Sequence, residues 1–330
     1  MNQFRWNTRN QNVLKSIFCA IGLVAGTFVL GSAQARDANT ARIVLQTQLK
    51  ILDPVTTPAY STRNHGYLIY DTLFAMDANS NPQPQMVDTW KESPDKRTYT
   101  FTLRKGLKFH DGTPVTAEDA IASLQRWGQR DQMGGRMLAA TDKMEAVDAL
   151  TFVIKLKKPY GLMLDTLGKQ GSPVPFIMPK RIAMAPASQA LTEAIGSGPY
   201  KFVAADFQPG VKATYLKFAD YVPRKEPASG FAGGKIAIVD RIELVSIPDS
   251  QTAVQALRTG EVDFVEDVPP DLMPQLEGVK GITLKPFGKN QPVTLLMVQC
   301  DASDFANAMY KEGEPKLGLA ENRICGFFAS

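Results

Sequence analysis

The amino-acid sequence predicts an α/β fold built on a mixed β-sheet, and three features point there. Thr98 to Arg104 alternates, with Tyr99, Phe101 and Leu103 on one side and Thr98, Thr100, Thr102 and Arg104 on the other, the period of a half-buried strand. The chain then turns through His110-Asp111-Gly112-Thr113-Pro114 and enters a helix at Thr116, an N-cap residue followed by Glu118 and Asp119, carboxylates that suit the positive helix end. Along the rest of the chain, short strands alternate with helices between turns marked by glycine and proline, with no internal repeat and no low-complexity tract.

In chain order, Ile43 to Gln48 reads as a first strand, broken by Leu52-Asp53-Pro54. Tyr67 to Phe74 reads as a helix whose apolar positions are Leu68, Ile69 and Leu73, and Asn79 to Pro84 as a polar connection. Met144 to Val147 and Thr151 to Lys157 make a predicted hairpin around Asp148-Ala149, because Phe152, Ile154 and Leu156 alternate. Pro173 to Pro179 holds too many prolines for regular structure throughout. Gly196-Ser197-Gly198-Pro199-Tyr200 is a tight turn feeding a strand from Tyr200 to Ala204; further strands run from Val211 to Phe218 and from Arg241 to Ile247. Asp249 or Ser250 caps a helix through Val254 and Leu257, which Gly260 ends. Val262 to Val265 is a strand and Pro269 to Leu276 a proline-started helix, and two more strands follow at Ile282 to Phe287 and Val293 to Gln299.

The first 35 residues read as a secretory signal peptide: Arg5, Arg9 and Lys15, the uncharged run Ile17 to Leu30, then Ser32-Ala33-Gln34-Ala35, which predicts a mature start at Arg36. The run is short against the ~20 residues of a membrane span. Cys19 follows Ser16-Ile17-Phe18, a poor lipobox, and no adjacent arginine pair is present, so the general secretory route is expected. Removing the leader leaves 34 of the 37 basic side chains against 33 acidic ones, a balance that offers no field for nucleic acid or an anionic membrane. Between Arg36 and Gln299 there is no cysteine, as suits an exported body; Cys300 and Cys325 come after it, and spacing does not decide whether they pair.

Enzymatic chemistry finds no footing. His65 and His110 stand without HExxH, HxH or CxxC companions, so neither a zinc centre nor any other metal or cofactor is expected. No GxSxG or other nucleophile–base pair is present. Gly230-Phe231-Ala232-Gly233-Gly234-Lys235-Ile236 lacks the first glycine and the hydroxyl of a phosphate loop and reads as a polar loop.

Thr98 to Ala120, with its strand, FHDGTP turn and TAED helix start, resembles the signature of the family-5 solute-binding proteins, extracytoplasmic receptors of ABC importers for peptides, nickel and related solutes. Leu52-Asp53-Pro54, Ile69-Tyr70-Asp71-Thr72-Leu73, Gly198-Pro199-Tyr200 and Leu257-Arg258-Thr259-Gly260-Glu261-Val262-Asp263 extend the resemblance in the same order, over Ile43 to Val298. It implies a periplasmic-binding-protein-like fold of type II, represented by its first lobe only. That lobe has a mixed-sheet domain from residues 36–75 and 189–287, an inserted α+β domain at 76–188, and the start of a crossing at 288–299. It further implies a non-enzymatic, monomeric periplasmic receptor that hands a small solute such as a peptide to permease and ATPase subunits. The matching cleft segments are Thr57 to Arg63, Arg130 to Met137 and Ser172 to Phe176. From these, the resemblance implies ligand-binding roles for Thr57, Tyr60, Arg63, Arg136 and Ser172. Arg136, expected on a flexible loop beside Gly134-Gly135, reads either as a carboxylate holder or as a solvated surface arginine; Tyr60 reads either as a cleft residue or as edge packing.

After Gln299 the resemblance stops. Residues 300–330 read as non-family sequence, placed there by a frameshift or internal deletion near codon 300 or as a divergent natural end. The expectation is a truncated, binding-deficient receptor, with a secreted interaction or chaperone-like module as the alternative. Resequencing the locus decides the first point: a family-like second-lobe sequence is expected downstream in another frame.

Overall fold

The computed structural model describes residues 39–286 and 295–299; the expected leader and the segment 300–330, expected to be non-family sequence, lie outside them. The chain opens with β1 (Thr40–Val44), α1 (Tyr60–Ile69), β2 (Phe74–Met76), β3 (Pro82–Pro84), β4 (Val87–Glu92) and β5 (Thr98–Leu103). It continues through α2 (Ala117–Gly128), α3 (Gln132–Ala140), β6 (Thr141–Ala146), β7 (Thr151–Leu156), α4 (Met163–Leu167) and α5 (Lys180–Ala183). It ends with β8 (Tyr200–Phe202), β9 (Lys212–Lys217), β10 (Arg241–Val245), α6 (Ser250–Thr259), β11 (Phe264–Val265), β12 (Ile282–Pro286) and β13 (Leu295–Gln299).

The fold is the predicted α/β arrangement on a mixed sheet. Seven strands lie in the order β12-β13-β11-β1-β10-β9-β8. At their centre β1 runs parallel to both β10 and β11, while the outer pairings are antiparallel. A second, antiparallel sheet, β4-β5-β7-β6, comes from the middle of the chain. In β5 the alternation holds: Tyr99, Phe101 and Leu103 are buried and the threonines between them less so. Phe101 lies opposite Phe152 of β7, and their rings stack at 5.2 Å. The helix that follows starts as its sequence dictates. The Thr116 hydroxyl accepts from the Asp119 N–H while Asp119 takes the Thr116 N–H at 2.8 Å, a capping box that satisfies two otherwise orphaned donors. Asp119 also accepts the Lys180 N–H at 2.6 Å, which binds α5 to the start of α2. The hairpin of β6 and β7 and the capped helix α6, begun by Asp249 and closed by Gly260 at φ 77°, also follow the sequence reading.

Four elements differ from expectation. The helix placed at Tyr67 to Phe74 runs instead over Tyr60–Ile69. Its first turns escape an apolar pattern because Ser61, Thr62, Arg63, Asn64 and His65 are all buried through polar contacts. Ser61 and Thr62 donate to the Gln48 and Ile51 carbonyls, and His65 Nδ1 lies 2.7 Å from the Tyr215 hydroxyl. The helix stops at Ile69 because its carbonyl is drawn out to the Gly198 N–H at 2.9 Å and Tyr70 is extended. The polar connection Asn79 to Pro84 includes β3, paired with β2. Pro269 to Leu276 forms only a single 3-10 turn at Met273–Gln275, since Pro274 has no N–H to continue a helix. The first strand is shifted too: β1 is in register with β10 from Thr40 to Val44, and beyond it the Gln46 N–H turns to a side chain.

Two long-range contacts lock the segments that lead to α1. Asp53 and Arg126 form a fully buried two-pronged ion pair at 2.7 and 3.1 Å. Asp53 also accepts the Val55 and Leu191 N–H groups, and Arg126 donates to the Ala185 and Gln189 carbonyls. The signature turn makes the second lock. His110 Nδ1 accepts the Gly196 N–H, so Nε2 carries the proton and donates to the Gly198 carbonyl at 3.0 Å. Both glycines are required: a Cβ at Gly196 would stand 1.8 Å from the Ile69 oxygen, and one at Gly198 2.8 Å from the Ile69 carbonyl carbon.

Three outcomes are expected. Asp53→Asn strands a buried guanidinium and lowers stability by about 3–5 kcal/mol in urea unfolding, whereas Asp53→Leu combined with Arg126→Met loses much less. Gly196→Ala costs about 3 kcal/mol by overpacking, while Gly161→Ala, with open space around its Cβ, is near neutral in the same assay. Burial between the Phe202 and Tyr215 rings lowers the His65 pKa from 6.5 to about 3. The unfolded state therefore takes up a proton that the folded state refuses, and stability falls by ~1.4 kcal/mol per pH unit on acidification below about 6.5. Urea midpoints between pH 6.5 and 5 should show this slope added to a like one from His110, and His65→Gln should remove about half of the total.

Candidate functional site

In an open α/β sheet the crevice beyond the carboxyl ends of the parallel strands receives ligands. Here β1 and β11 end side by side at Val44 and Val265, and the segments just beyond them are rich in polar side chains. Glu266 accepts the Gln46 N–H and the Asn64 amide, both at 2.8 Å, and Gln46 donates its own amide to Asp267 at 3.0 Å. Three segments remote in sequence are thereby tied at one sheet edge. Burial raises the Glu266 carboxyl above its ordinary range, against the pull of these hydrogen bonds and the charge of Arg63. A shallow open groove lies at the same sheet edge, lined among others by Leu45, Gln48, Leu49, Gly210, Val211 and Ser246.

The structure brings three of the five sequence-derived residues together. The Thr57 hydroxyl accepts the Ala59 N–H and shapes the turn into α1. Tyr60 opens that helix with more than half of its surface exposed, and the Arg63 guanidinium lies over its ring, 4.5 Å from the centroid. Arg63 itself is only 6% exposed. Ser172 sits on the loop after α4, its hydroxyl buried without a hydrogen-bond partner among the described residues. That loop is pinned to α1 by the bond from the Tyr67 hydroxyl to the Gln170 carbonyl, one helical turn beyond Arg63, and to α2 by the bond from Trp127 Nε1 to the Pro173 carbonyl. Arg136 departs from expectation: it lies on the exposed face of α3, and its neighbours Gly134 and Gly135 are helical. Gly134 allows close packing on Gly128 and Trp127, and Asp131 caps the helix. Asn64, Gln46, Glu266 and Asp267 escaped the sequence reading; the one available hint was a Glu-Asp pair directly after an apolar strand.

The remaining polar clusters have structural partners. His110 uses both ring nitrogens to hold the glycine turn, and burial lowers its pKa to about 4. Gly233, in the loop that partly matches a phosphate loop, exchanges two hydrogen bonds with the buried Gln85 amide, and Phe231 of that loop stacks on Tyr67 at 4.6 Å. Among the described residues no cluster of three or more His, Cys, Asp or Glu is arranged to hold a metal ion.

With this geometry in view, comparison with known proteins places the chain. Residues 81–311 match the family model of the bacterial extracellular solute-binding proteins, family 5 Middle. The probable peptide ABC transporter periplasmic-binding protein y4tO of Sinorhizobium fredii is 42% identical over 276 residues, 83% of this chain and 51% of the relative. Glutathione-binding protein GsiB of Pectobacterium atrosepticum is 28% identical over 242 residues, 70% of this chain and 43% of its own. Among solved structures, the periplasmic binding protein AgaA of A. tumefaciens R10, in complex with agropinic acid, superposes with a TM-score of 0.61. It is 28% identical, over 74% of this chain and 47% of that one. The chain spans about half the length of the curated relatives it matches. Its mixed-sheet fold is periplasmic-binding-protein-like, and its relatives bind solutes rather than transform them. The family match runs through the four-stranded sheet and most strands of the seven-stranded one, and with the identity to y4tO it is decisive: the chain belongs to the bacterial extracellular solute-binding proteins of family 5.

Proposed function

We propose that this chain belongs to the substrate-binding component of an ABC importer for peptides or similar small solutes, exported to the periplasm and partnered there by permease and ATPase subunits. The observation that carries the reading is the group of Tyr60, Arg63, Asn64, Gln46 and Glu266 beyond the ends of β1 and β11. Such a crevice offers a solute hydrogen bonds and a ring face on one wall. In this reading Thr57, Tyr60, Arg63 and Ser172 line that wall, and Arg136 stands at its periphery. Residues 36–75 with 189–287 form the domain that carries the wall, and 76–188 form an inserted domain that braces it.

Receptors of this kind gain affinity by enclosing a solute between two walls, which removes its water and distributes its polar contacts. A solute resting on the described wall alone keeps its other side hydrated, so the 330-residue chain by itself should bind weakly, with a Kd of about 1 mM or above. Calorimetry with a panel of di- to pentapeptides and glutathione tests this, alongside a fusion of this chain to the remaining half of y4tO. The fusion should reach micromolar affinity for at least one solute, and stabilisation in thermal shift should follow saturation. Micromolar binding by the 330-residue chain itself would overturn the one-wall reading, and no binding by a folded fusion would overturn the receptor reading.

A further inference from the structure

We propose that Arg63, braced by Tyr60 and Asn64, is the anchor for a carboxylate of the solute, so that this wall selects acidic ligands. The proposal rests on the receptor reading above and gives that reading a solute class.

Two arginines are buried among the described residues, Arg63 and Arg126. Arg126 has the Asp53 carboxylate on both terminal nitrogens. Arg63 has no carboxylate within ion-pair distance among the described residues; its Nε and Nη2 both donate to one neutral oxygen, Asn64 Oδ1, at 3.4 and 3.3 Å. These are long bonds beside the usual ~2.9–3.0 Å. A guanidinium withdrawn from water without a counter-charge is costly, and a protein tolerates it where an anion arrives to offset the cost. Glu266, whose carboxyl feels the charge of Arg63, has both oxygens engaged by Asn64 and Gln46.

The geometry identifies which part of Arg63 is open. Nε and Nη2 form the side-on edge of the guanidinium, and Asn64 occupies it. The other edge, Nη1 with the second Nη2 proton, has no hydrogen-bond partner among the described residues. That edge presents two parallel N–H donors, the arrangement that matches the two oxygens of a carboxylate. The Tyr60 ring under Cζ fixes the guanidinium plane while remaining more than half exposed itself. Asn64 is held in turn: its Nδ2 donates to Glu266, which leaves Oδ1 facing Arg63. Asn64 and Glu266 are thus positioning residues for a cation that lies in the first two turns of α1, where the helix dipole also favours an anion.

The test uses the whole chain at pH 7.5 and constant ionic strength, with sodium acetate or sodium glutarate exchanged for sodium chloride up to about 100 mM. The Arg63 Nε–H resonance of 15N-labelled protein, assigned by its absence from Arg63→Lys, should shift saturably with either carboxylate. Arg63→Met, which keeps the apolar stem, should weaken carboxylate binding at least tenfold in thermal shift and leave the melting temperature without anion unchanged or higher. If Arg63→Met does not fold, Arg63→Lys retains the charge but not the two-pronged edge and should show the same loss for glutarate. An Arg63 resonance that ignores both carboxylates, or variants that respond like the wild type, would overturn the proposal. Peptide acids and their C-terminal amides bound equally well by the y4tO fusion would also defeat it while leaving the receptor reading intact. Carboxylate binding at Arg63 with no solute bound by a folded fusion would do the opposite.

Discussion

The architecture hangs on the ion pair of Asp53 and Arg126. Asp53 lies in the loop that carries the chain from β1 to α1, and Arg126 lies in the last turn of α2, 73 residues away. Besides each other they engage four backbone groups: the Val55 and Leu191 N–H groups and the carbonyls of Ala185 and Gln189. A buried pair of this kind adds little net stability over apolar packing, because removing two charges from water offsets their attraction. Its value is positional. Each group tolerates only one arrangement, so the loop that delivers Thr57 and Tyr60 to the sheet edge can occupy only one place.

The second constraint clarifies what the family signature is for. The FHDGTP turn and the GSGPY turn meet through His110 and press the glycines against the end of α1, where a side chain of any size would collide with the Ile69 carbonyl. The motif that identifies the protein most strongly is therefore a latch for a helix end. The polar groups suited to a ligand lie at the opposite end of the same helix. The family signature and the proposed ligand wall thus occupy two ends of α1, and the rigidity of one end aims the other.

Local signals were the legible ones. The alternation of β5, the capping box of α2, the hairpin of β6 and β7, and the Asp249 to Gly260 span of α6 are each written within a dozen residues. What the sequence concealed is long-range or inverted. The start of α1 buries five consecutive polar residues whose partners lie at Gln48, Ile51, Tyr215 and Glu266, so no apolar stripe announces it. Arg136 follows two glycines that suggested a loop, yet those glycines serve close helix packing. The Glu266 network is invisible because its members are about 200 residues apart and meet only once β1 and β11 lie parallel. By contrast, the neighbourhood of Thr57, Tyr60 and Arg63 at the start of α1 was legible because family resemblance places a whole segment, while their part in binding rests on the proposal.

One feature of the sheet bears on how the protein is made. β13 is the last described strand in the chain but sits inside the sheet, between β11 and β12. Until residues 295–299 have emerged from the ribosome, or from the translocation pore, β11 presents a bare row of amide and carbonyl groups on that flank and β12 has no neighbour. Such an open border invites pairing with foreign strands. Biogenesis therefore favours keeping the nascent polypeptide unfolded, or shielded by a holdase, until that late strand can slot into place.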